Sequence, residues 1–172
     1  MIEKTTLTAI PILLCGAMLF AAAPAEPIVT EGIVNAPVDA VWKAFTTQQG
    51  LESWMVAKTE IDLTAGGSWR TSYSKESTLD DDAAIHHRIL AYDPGRMFSF
   101  RTVKFPKAFP FPNAILKTWN VVYFEPVGDG QTKVTARMLG YTDEDESQRM
   151  RTFFEQGNRE TMDNLIKRFE RR

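Results

Sequence analysis

The fold of this chain is clearest in the segment Val29-Thr-Glu-Gly-Ile-Val-Asn-Ala-Pro-Val-Asp-Ala-Val-Trp-Lys-Ala-Phe-Thr-Thr47. Its first residues suit a strand, and Ala36-Pro37 suits a corner. One helix face then carries apolar side chains at i, i+3, i+4 and i+7, namely Val38, Val41, Trp42 and Phe45. Pro37 suits the first helical position, and Asp39 complements the positive end of the helix dipole. The segment therefore predicts a short strand that turns directly into an amphipathic helix.

The chain beyond this helix reads mainly as hairpins. A second short helical turn is predicted at residues 50–55, and six strands follow at residues 57–63, 68–73, 85–92, 97–103, 117–124 and 132–139. Turn residues join three pairs of these strands, at Ala65-Gly66-Gly67, Asp93-Pro94-Gly95 and Gly128-Asp129-Gly130. Strands joined by hairpins form an antiparallel sheet.

The last element is predicted to be a long helix from about Glu144 to Phe169. Apolar and small residues follow the helical period and form one stripe, which contains Met150, Phe153, Phe154, Gly157, Thr161, Met162, Leu165 and Phe169. Acidic residues crowd its start and basic residues its end, as the helix dipole favours. A striped helix of this length has to lie across the sheet, so the sequence predicts an α+β domain.

Four segments resemble the START-like (SRPBCC) superfamily, and within it the family related to the C-terminal domain of Hsp90 ATPase activators (AHSA1-like). They are Val34–Trp42, Ala65–Arg70, Arg88–Phe98, and Thr132–Thr135 together with Gly157 ahead of Leu165. The resemblance covers residues 28–169. It implies the helix-grip fold, in which a curved antiparallel sheet of about six to seven strands wraps around a long C-terminal helix, with two short helices after the first strand. Members of the family usually have Trp directly after this glycine, where this chain has Asn158.

Residues 1–25 are predicted to be an export signal. A charge-free apolar run from Leu7 to Ala23 ends at Ala23-Pro24-Ala25, which suits cleavage before Glu26 and leaves residues 26–172 as one START-like domain. The run could instead stay as an uncleaved anchor. Because small residues do not precede Cys15, a lipoprotein is disfavoured. We therefore expect an exported protein, periplasmic or secreted, without a stable membrane span after cleavage.

Composition excludes several classes of function. Cleavage would remove the only cysteine, so neither disulfides nor thiol chemistry is expected. It would leave 19 basic and 21 acidic residues. This nearly neutral balance does not indicate the excess of basic residues that nucleic-acid binding requires. The sequence has no Gly-x-Ser-x-Gly elbow, glycine-rich phosphate loop or dinucleotide fingerprint, so we assign no catalytic residue and no cofactor.

Aromatic residues are the candidates for a ligand site, because the helix-grip fold keeps a cavity between sheet and helix. Aromatic walls with a few polar groups suit an apolar or amphipathic small molecule. The predicted ligand-binding residues are Trp54, Trp69, Tyr73, His87, Phe98, Phe100, Trp119 and Tyr123. The alternative is that these rings only fill a core.

The two histidines, His86 and His87, are adjacent in a strand, so at most one faces the cavity. Two histidines beside loop aspartates fall short of a metal site, and none is predicted. An inward His87 could act as a general base, or it could be a hydrogen-bonded wall residue.

A stiff apolar segment, Phe105-Pro-Lys-Ala-Phe-Pro-Phe-Pro-Asn113, is predicted to be a loop outside the sheet. Phe105, Phe109 and Phe111 could guard a cavity entrance, touch a membrane or contact a partner, or they could cap one end of the core. The expected function is binding of a hydrophobic small molecule. Two alternatives are an enzyme resembling polyketide cyclases and hydrolases, and an interaction protein that activates a chaperone ATPase. The sequence leaves the oligomeric state open.

Overall fold

The computed structural model describes residues 25–170, so the predicted export signal lies outside the described residues except for Ala25. Seven strands and four helices follow one another within this range. In chain order they are β1 (Ile28–Val34), α1 (Val38–Thr46), α2 (Gln48–Glu52), β2 (Lys58–Ile61), β3 (Ser68–Ser72), β4 (Ile85–Asp93), β5 (Met97–Lys104), α3 (Pro112–Lys117), β6 (Trp119–Val127), β7 (Gln131–Leu139) and α4 (Asp145–Glu170). None of the helices in this range is long and apolar enough to cross a membrane.

The strands form one antiparallel sheet in the order β1-β7-β6-β5-β4-β3-β2. Five of the six pairings join strands that are consecutive in the sequence. The sixth brings β1 against β7, where Ile28 pairs with Met138 and Val34 with Thr132. Register shifts in the pairing of β4 with β5 bend the sheet, since a bulge turns the strand that carries it. The α+β helix-grip architecture predicted from the sequence is confirmed.

Helix α1 begins at Val38, one residue later than predicted, because Pro37 is the extended N-cap residue and not the first helical one. The helix buries the face that carries Val41 and Phe45. These side chains join the main apolar core, which also includes Trp69, Phe98 and Leu165. Trp42 packs edge-on against Phe124 of β6, with 5.4 Å between the ring centroids. The helix therefore covers one end of the sheet's inner face.

Helix α4 lies along the inner face and packs closely against β1. A Cβ atom added at Gly32 of β1 would lie 2.7 Å from the sulfur of Met162, so the missing side chain allows this approach. Met150, Met162, Leu165 and Phe169 are buried on the side facing the sheet. They belong to the apolar stripe predicted from the sequence.

The prediction was wrong between residues 112 and 118. The predicted loop ends at Phe111, and the short helix α3 runs from Pro112 to Lys117. The predicted strand consequently starts at Trp119 and not at Lys117. Proline is well accommodated in the first turn of a helix, which explains why Pro112 begins α3.

Candidate functional site

A cavity of about 90 Å³ lies between the inner face of the sheet and helix α4. Its aromatic wall consists of Phe45, Trp54, Trp69, Phe98 and Phe100. Three methionines, Met55, Met138 and Met162, form much of the remaining cavity wall. Methionine side chains are flexible and adapt to irregular shapes, so this part of the wall can rearrange around a guest.

Internal contacts fix the orientation of the aromatic rings. Trp69 meets Phe100 edge-on at 4.7 Å between centroids, and Phe98 is stacked on Phe100 at 5.6 Å. The indole N–H of Trp54 donates to the carbonyl of Ala44 at 3.0 Å, and that of Trp69 donates to the hydroxyl of Thr59 at 3.0 Å. Because both N–H groups are satisfied, the two indoles offer a guest only apolar surface.

Polar groups reach the cavity at three positions, Asn120 on β6 and Asn158 and Thr161 on α4. Thr161 donates its hydroxyl to the carbonyl of Gly157 at 2.8 Å. Within residues 25–170, the side chains of Asn120 and Asn158 make no hydrogen bond with another protein group, and both are half-buried, so their amides stay within reach of solvent. An amide carries donors and an acceptor, so these two side chains can hydrogen bond a guest.

His87 lies behind this wall and is not among the cavity-lining residues. Its ring lies 4.7 Å from that of Trp69 and 5.2 Å from that of Phe100, and its Nδ1 is 3.2 Å from the hydroxyl of Thr102. Burial, with a smaller contribution from the charge of His86, lowers the pKa of His87 to about 3. The imidazole is therefore uncharged at neutral pH, and its contacts are those of a residue packed behind the aromatic wall. A general base of such low pKa is inefficient near neutrality.

The cavity brings together four of the eight predicted ligand-binding residues, which are Trp54, Trp69, Phe98 and Phe100. Tyr73 was expected to continue the inward face of Trp69, but β3 ends at Ser72 and Tyr73 is 71% exposed. Trp119 and Tyr123 are each 38% exposed, because β6 turns Asn120, Val122 and Phe124 inward. Tyr123 instead lines a solvent-open groove of about 720 Å³ beside Pro37 and Arg96. These three residues lie outside the cavity.

Phe105, Phe109 and Phe111 belong to a second apolar cluster. Phe109 contacts Phe105, Phe111 and Phe154, with ring centroids 5.6–6.3 Å apart. Phe111 is buried beside Ile115 of α3 and Met150 of α4. None of the three lines the cavity, although Met138 belongs to this cluster and also lines the cavity. Their placement is that of rings that close one end of the core.

Sequence reasoning missed Asn120 and Thr161 as lining residues. Asn158 was noticed only as a departure from the family pattern. A polar residue on the inward phase of a strand, such as Asn120 between apolar Val122 and Phe124, is a signal that could have been used. In the described part of the chain, no three His, Cys, Asp or Glu side chains converge as a metal site requires.

A curved antiparallel sheet that grips a long C-terminal helix around an aromatic cavity defines a START-like protein of the SRPBCC superfamily. The family described as "Activator of Hsp90 ATPase homolog 1-like protein" matches residues 35–170, and the chain belongs to this family. No curated protein sequence matches the chain.

Solved structures share the fold at low sequence identity. Protein MLL2253 from Mesorhizobium loti has a TM-score of 0.67 and 17% identity over 85% of this chain and 98% of its own. The Aha1 dimer from Colwellia psychrerythraea has a TM-score of 0.59 and 15% identity over 83% of this chain and 97% of its own. CalU16 from Micromonospora echinospora has a TM-score of 0.59 and 20% identity over 81% of this chain and 71% of its own. At these identities the similarity establishes the fold alone.

Proposed function

We propose that this chain is an exported protein that binds a small hydrophobic or amphipathic molecule in the cavity between the sheet and helix α4. The observation that carries the proposal is the pairing of five aromatic side chains with two amides that have no hydrogen-bond partner in residues 25–170. Both amides are half-buried and neither leaves a fully buried polar atom without a partner, so solvent can reach them in the free protein. A guest that displaced this solvent would have to hydrogen bond them, because a desolvated amide without a partner is costly. A guest with one hydrogen-bonding group and one ring would satisfy both features.

The size of the cavity limits what it can hold without rearrangement. Drug-sized ligands occupy pockets of about 300–1,000 Å³. At about 90 Å³, this cavity is nearer to the size of one small aromatic ring. Larger guests require the methionines of the wall to move. This movement has a cost, because the sulfur of Met138 accepts a hydrogen bond from the buried hydroxyl of Tyr141 at 3.0 Å and Met162 packs closely against Gly32. Export is proposed from the apolar run and small-residue site at residues 7–25.

Titration with phenol tests the proposal, since phenol has one ring and one hydroxyl. At about 0.6–0.8 kcal/mol for each of its seven heavy atoms, phenol should bind with a Kd of about 0.1–1 mM. Isothermal titration calorimetry and tryptophan fluorescence would measure this. Ala136 lines the cavity, so Ala136→Leu should abolish binding by filling it.

Ala91→Leu is the matched control, because Ala91 is an exposed strand residue on β4. This variant should bind phenol as the wild type does. The proposal fails if neither phenol nor any of the phenyl-substituted acids and amides of increasing chain length binds to the wild type. It also fails if folded Ala136→Leu binds phenol unchanged.

Activation of a chaperone ATPase is a second candidate, and the description of the matching family favours it. Activation of an ATPase requires a surface that binds the ATPase and does not require the cavity. Adding the purified protein to an Hsp90-type ATPase and measuring phosphate release separates the two. Stimulation by the wild type and by Ala136→Leu alike would support the rival, and no stimulation would exclude it for that ATPase.

A further inference from the structure

A polar groove of about 370 Å³ opens to solvent near the C-terminal end of α4. It is lined by Ser53, Trp54, Asn164, Lys167 and Arg168. None of these side chains is acidic. The groove therefore presents two cations and two neutral hydrogen-bonding groups around a tryptophan.

Neither cation, Lys167 or Arg168, takes part in an ion pair within the part of the chain that the structure describes. Arg168 donates its Nε–H to the hydroxyl of Ser53 at 3.1 Å, and its guanidinium lies 5.5 Å from the ring centroid of Phe169. These contacts hold the guanidinium at the groove and leave its terminal nitrogens available to an anion.

Trp54 lines both this groove and the internal cavity. Its ring is held by the hydrogen bond to Ala44 and by an edge-on contact with Phe45 at 5.0 Å between centroids. A ligand that extended from the cavity past this indole would enter the groove of Lys167 and Arg168. The apolar cavity and the positively charged groove therefore adjoin the same side chain.

We infer that the ligand is an amphipathic organic anion, with its apolar part in the cavity, its chain beside Trp54, and its anionic group at Lys167 and Arg168. The inference rests on the proposed function, because it requires the cavity to be a ligand site. It adds a second subsite and a chemical class, since a neutral apolar guest would leave both cations unused. Arg168 offers a planar fork of donors that suits a carboxylate, and Lys167 adds a point charge.

Matched acids and amides test this inference. Phenylacetate, 4-phenylbutyrate and 6-phenylhexanoate carry the same ring on chains of increasing length, and each has an uncharged amide of nearly the same shape. We expect at least one acid to bind ten-fold or more tightly than its amide, as measured by calorimetry. That acid should shift the indole N–H resonance of Trp54, which is assigned by its loss in Trp54→Phe.

Lys167→Met combined with Arg168→Met should reduce binding of the preferred acid to the level of its amide, while phenol binds unchanged. Lys75→Met combined with Arg159→Met is the control, because it removes two exposed cations that do not line the groove or cavity. The control should bind the acid as the wild type does. Equal losses in both double variants would show that only net charge matters, and would overturn the inference.

The outcomes separate this inference from the proposed function. If phenol binds but no acid exceeds its amide at any chain length, the anion subsite is wrong and the cavity remains a ligand site. If neither phenol nor any acid or amide binds, both fail together. Binding of an acid without a shift at Trp54 would overturn the route past this residue.

Discussion

His87 illustrates how the packing around one side chain sets its charge. Its pKa in the folded protein is about 3, against 6.5 for a histidine in its ordinary environment. Below pH 6.5 the unfolded chain takes up a proton that the folded chain does not, so stability is complete above pH 6.5 and falls as the pH drops toward 3. We expect the free energy of unfolding to fall by about 1–2 kcal/mol from this source between pH 6.5 and pH 5, at up to about 1.4 kcal/mol per pH unit.

Urea unfolding of the wild type and of His87→Gln at pH 8, 6.5 and 5 measures this difference. His87→Gln should not lose this stability between pH 6.5 and pH 5. Few carboxylates are protonated in this pH range, so they contribute little to the difference. Below pH 5 both proteins should lose stability further, because hydrogen bonds lower the pKa of Glu31, Asp81 and Asp82. An unchanged slope in His87→Gln between pH 6.5 and 5 would contradict the burial of the imidazole.

The phase of a strand explains which site residues the sequence could predict. In β3 and β5 one face is clearly more apolar, so the sequence alone predicts that Trp69, Phe98 and Phe100 face inward, and all three line the cavity. In β6 both faces carry large apolar residues, and the period of two cannot tell which one faces the helix. The inward face of β6 is determined by its pairing with β7 and by the position of α4. That information is not local to residues 119–124.

Helix α3 likewise could not be predicted from its local sequence. Six residues are too few to form a stable helix alone, so its formation depends on tertiary contacts. Those contacts come from Glu146 of α4, which accepts hydrogen bonds from the backbone N–H groups of Asn113 and Ala114 at 2.8 and 3.1 Å. The long helix and the sheet, by contrast, were predictable because their patterns repeat over many residues.

Glu146 should therefore hold α3 in place. The backbone N–H of Ala114, followed by the side-chain amide of Asn113, lowers the pKa of this carboxyl group below its usual value. Its contribution is present above the unfolded-state value of about 4.5 and is lost as the pH falls through the lowered pKa. We expect Glu146→Gln to speed amide hydrogen exchange in residues 112–117 several-fold at pH 7. Glu160→Gln, an exposed change on the same helix, should leave exchange there unchanged, and equal exchange in both variants would contradict the link.

The turn between β7 and α4 depends on Gly140. Its φ is +91°, and a Cβ there would lie 2.3 Å from the carbonyl oxygen of Lys117. Gly128 has a φ of +60° with nothing within 4 Å of such an atom. Gly128→Ala should cost only the left-handed backbone strain, about 1–2 kcal/mol, whereas Gly140→Ala should cost about 2–4 kcal/mol because the backbone must also move. Urea unfolding measures the free energy of unfolding of both variants. Equal losses of stability would show that the backbone at Lys117 moves away without measurable cost.

In the whole molecule, α4 joins two apolar clusters that meet the helix on either side of Gly157, Asn158 and Thr161. Phe154 belongs to the cluster on one side and Met162 to that on the other, and the cavity reaches the middle segment. A core that closes at both ends and stays open in the middle gives up packing energy at the cavity. At about 24 cal/mol per Å³, filling the 90 Å³ cavity completely would recover about 2 kcal/mol.

Asn158→Leu should stabilise the fold and weaken phenol binding. It removes an amide that makes no side-chain hydrogen bond within residues 25–170, and it fills part of the cavity. We expect the free energy of unfolding to rise by about 1–2 kcal/mol, and Tm by about 2–6 °C, while phenol binds at least ten-fold more weakly. Gln156→Leu places the same side chain on an exposed position of α4 and should change neither quantity. Calorimetry and thermal unfolding measure both effects. A less stable Asn158→Leu protein would mean that the space beside Asn158 does not accept an apolar side chain. That space would then be part of the packed core and not a site held open for a ligand.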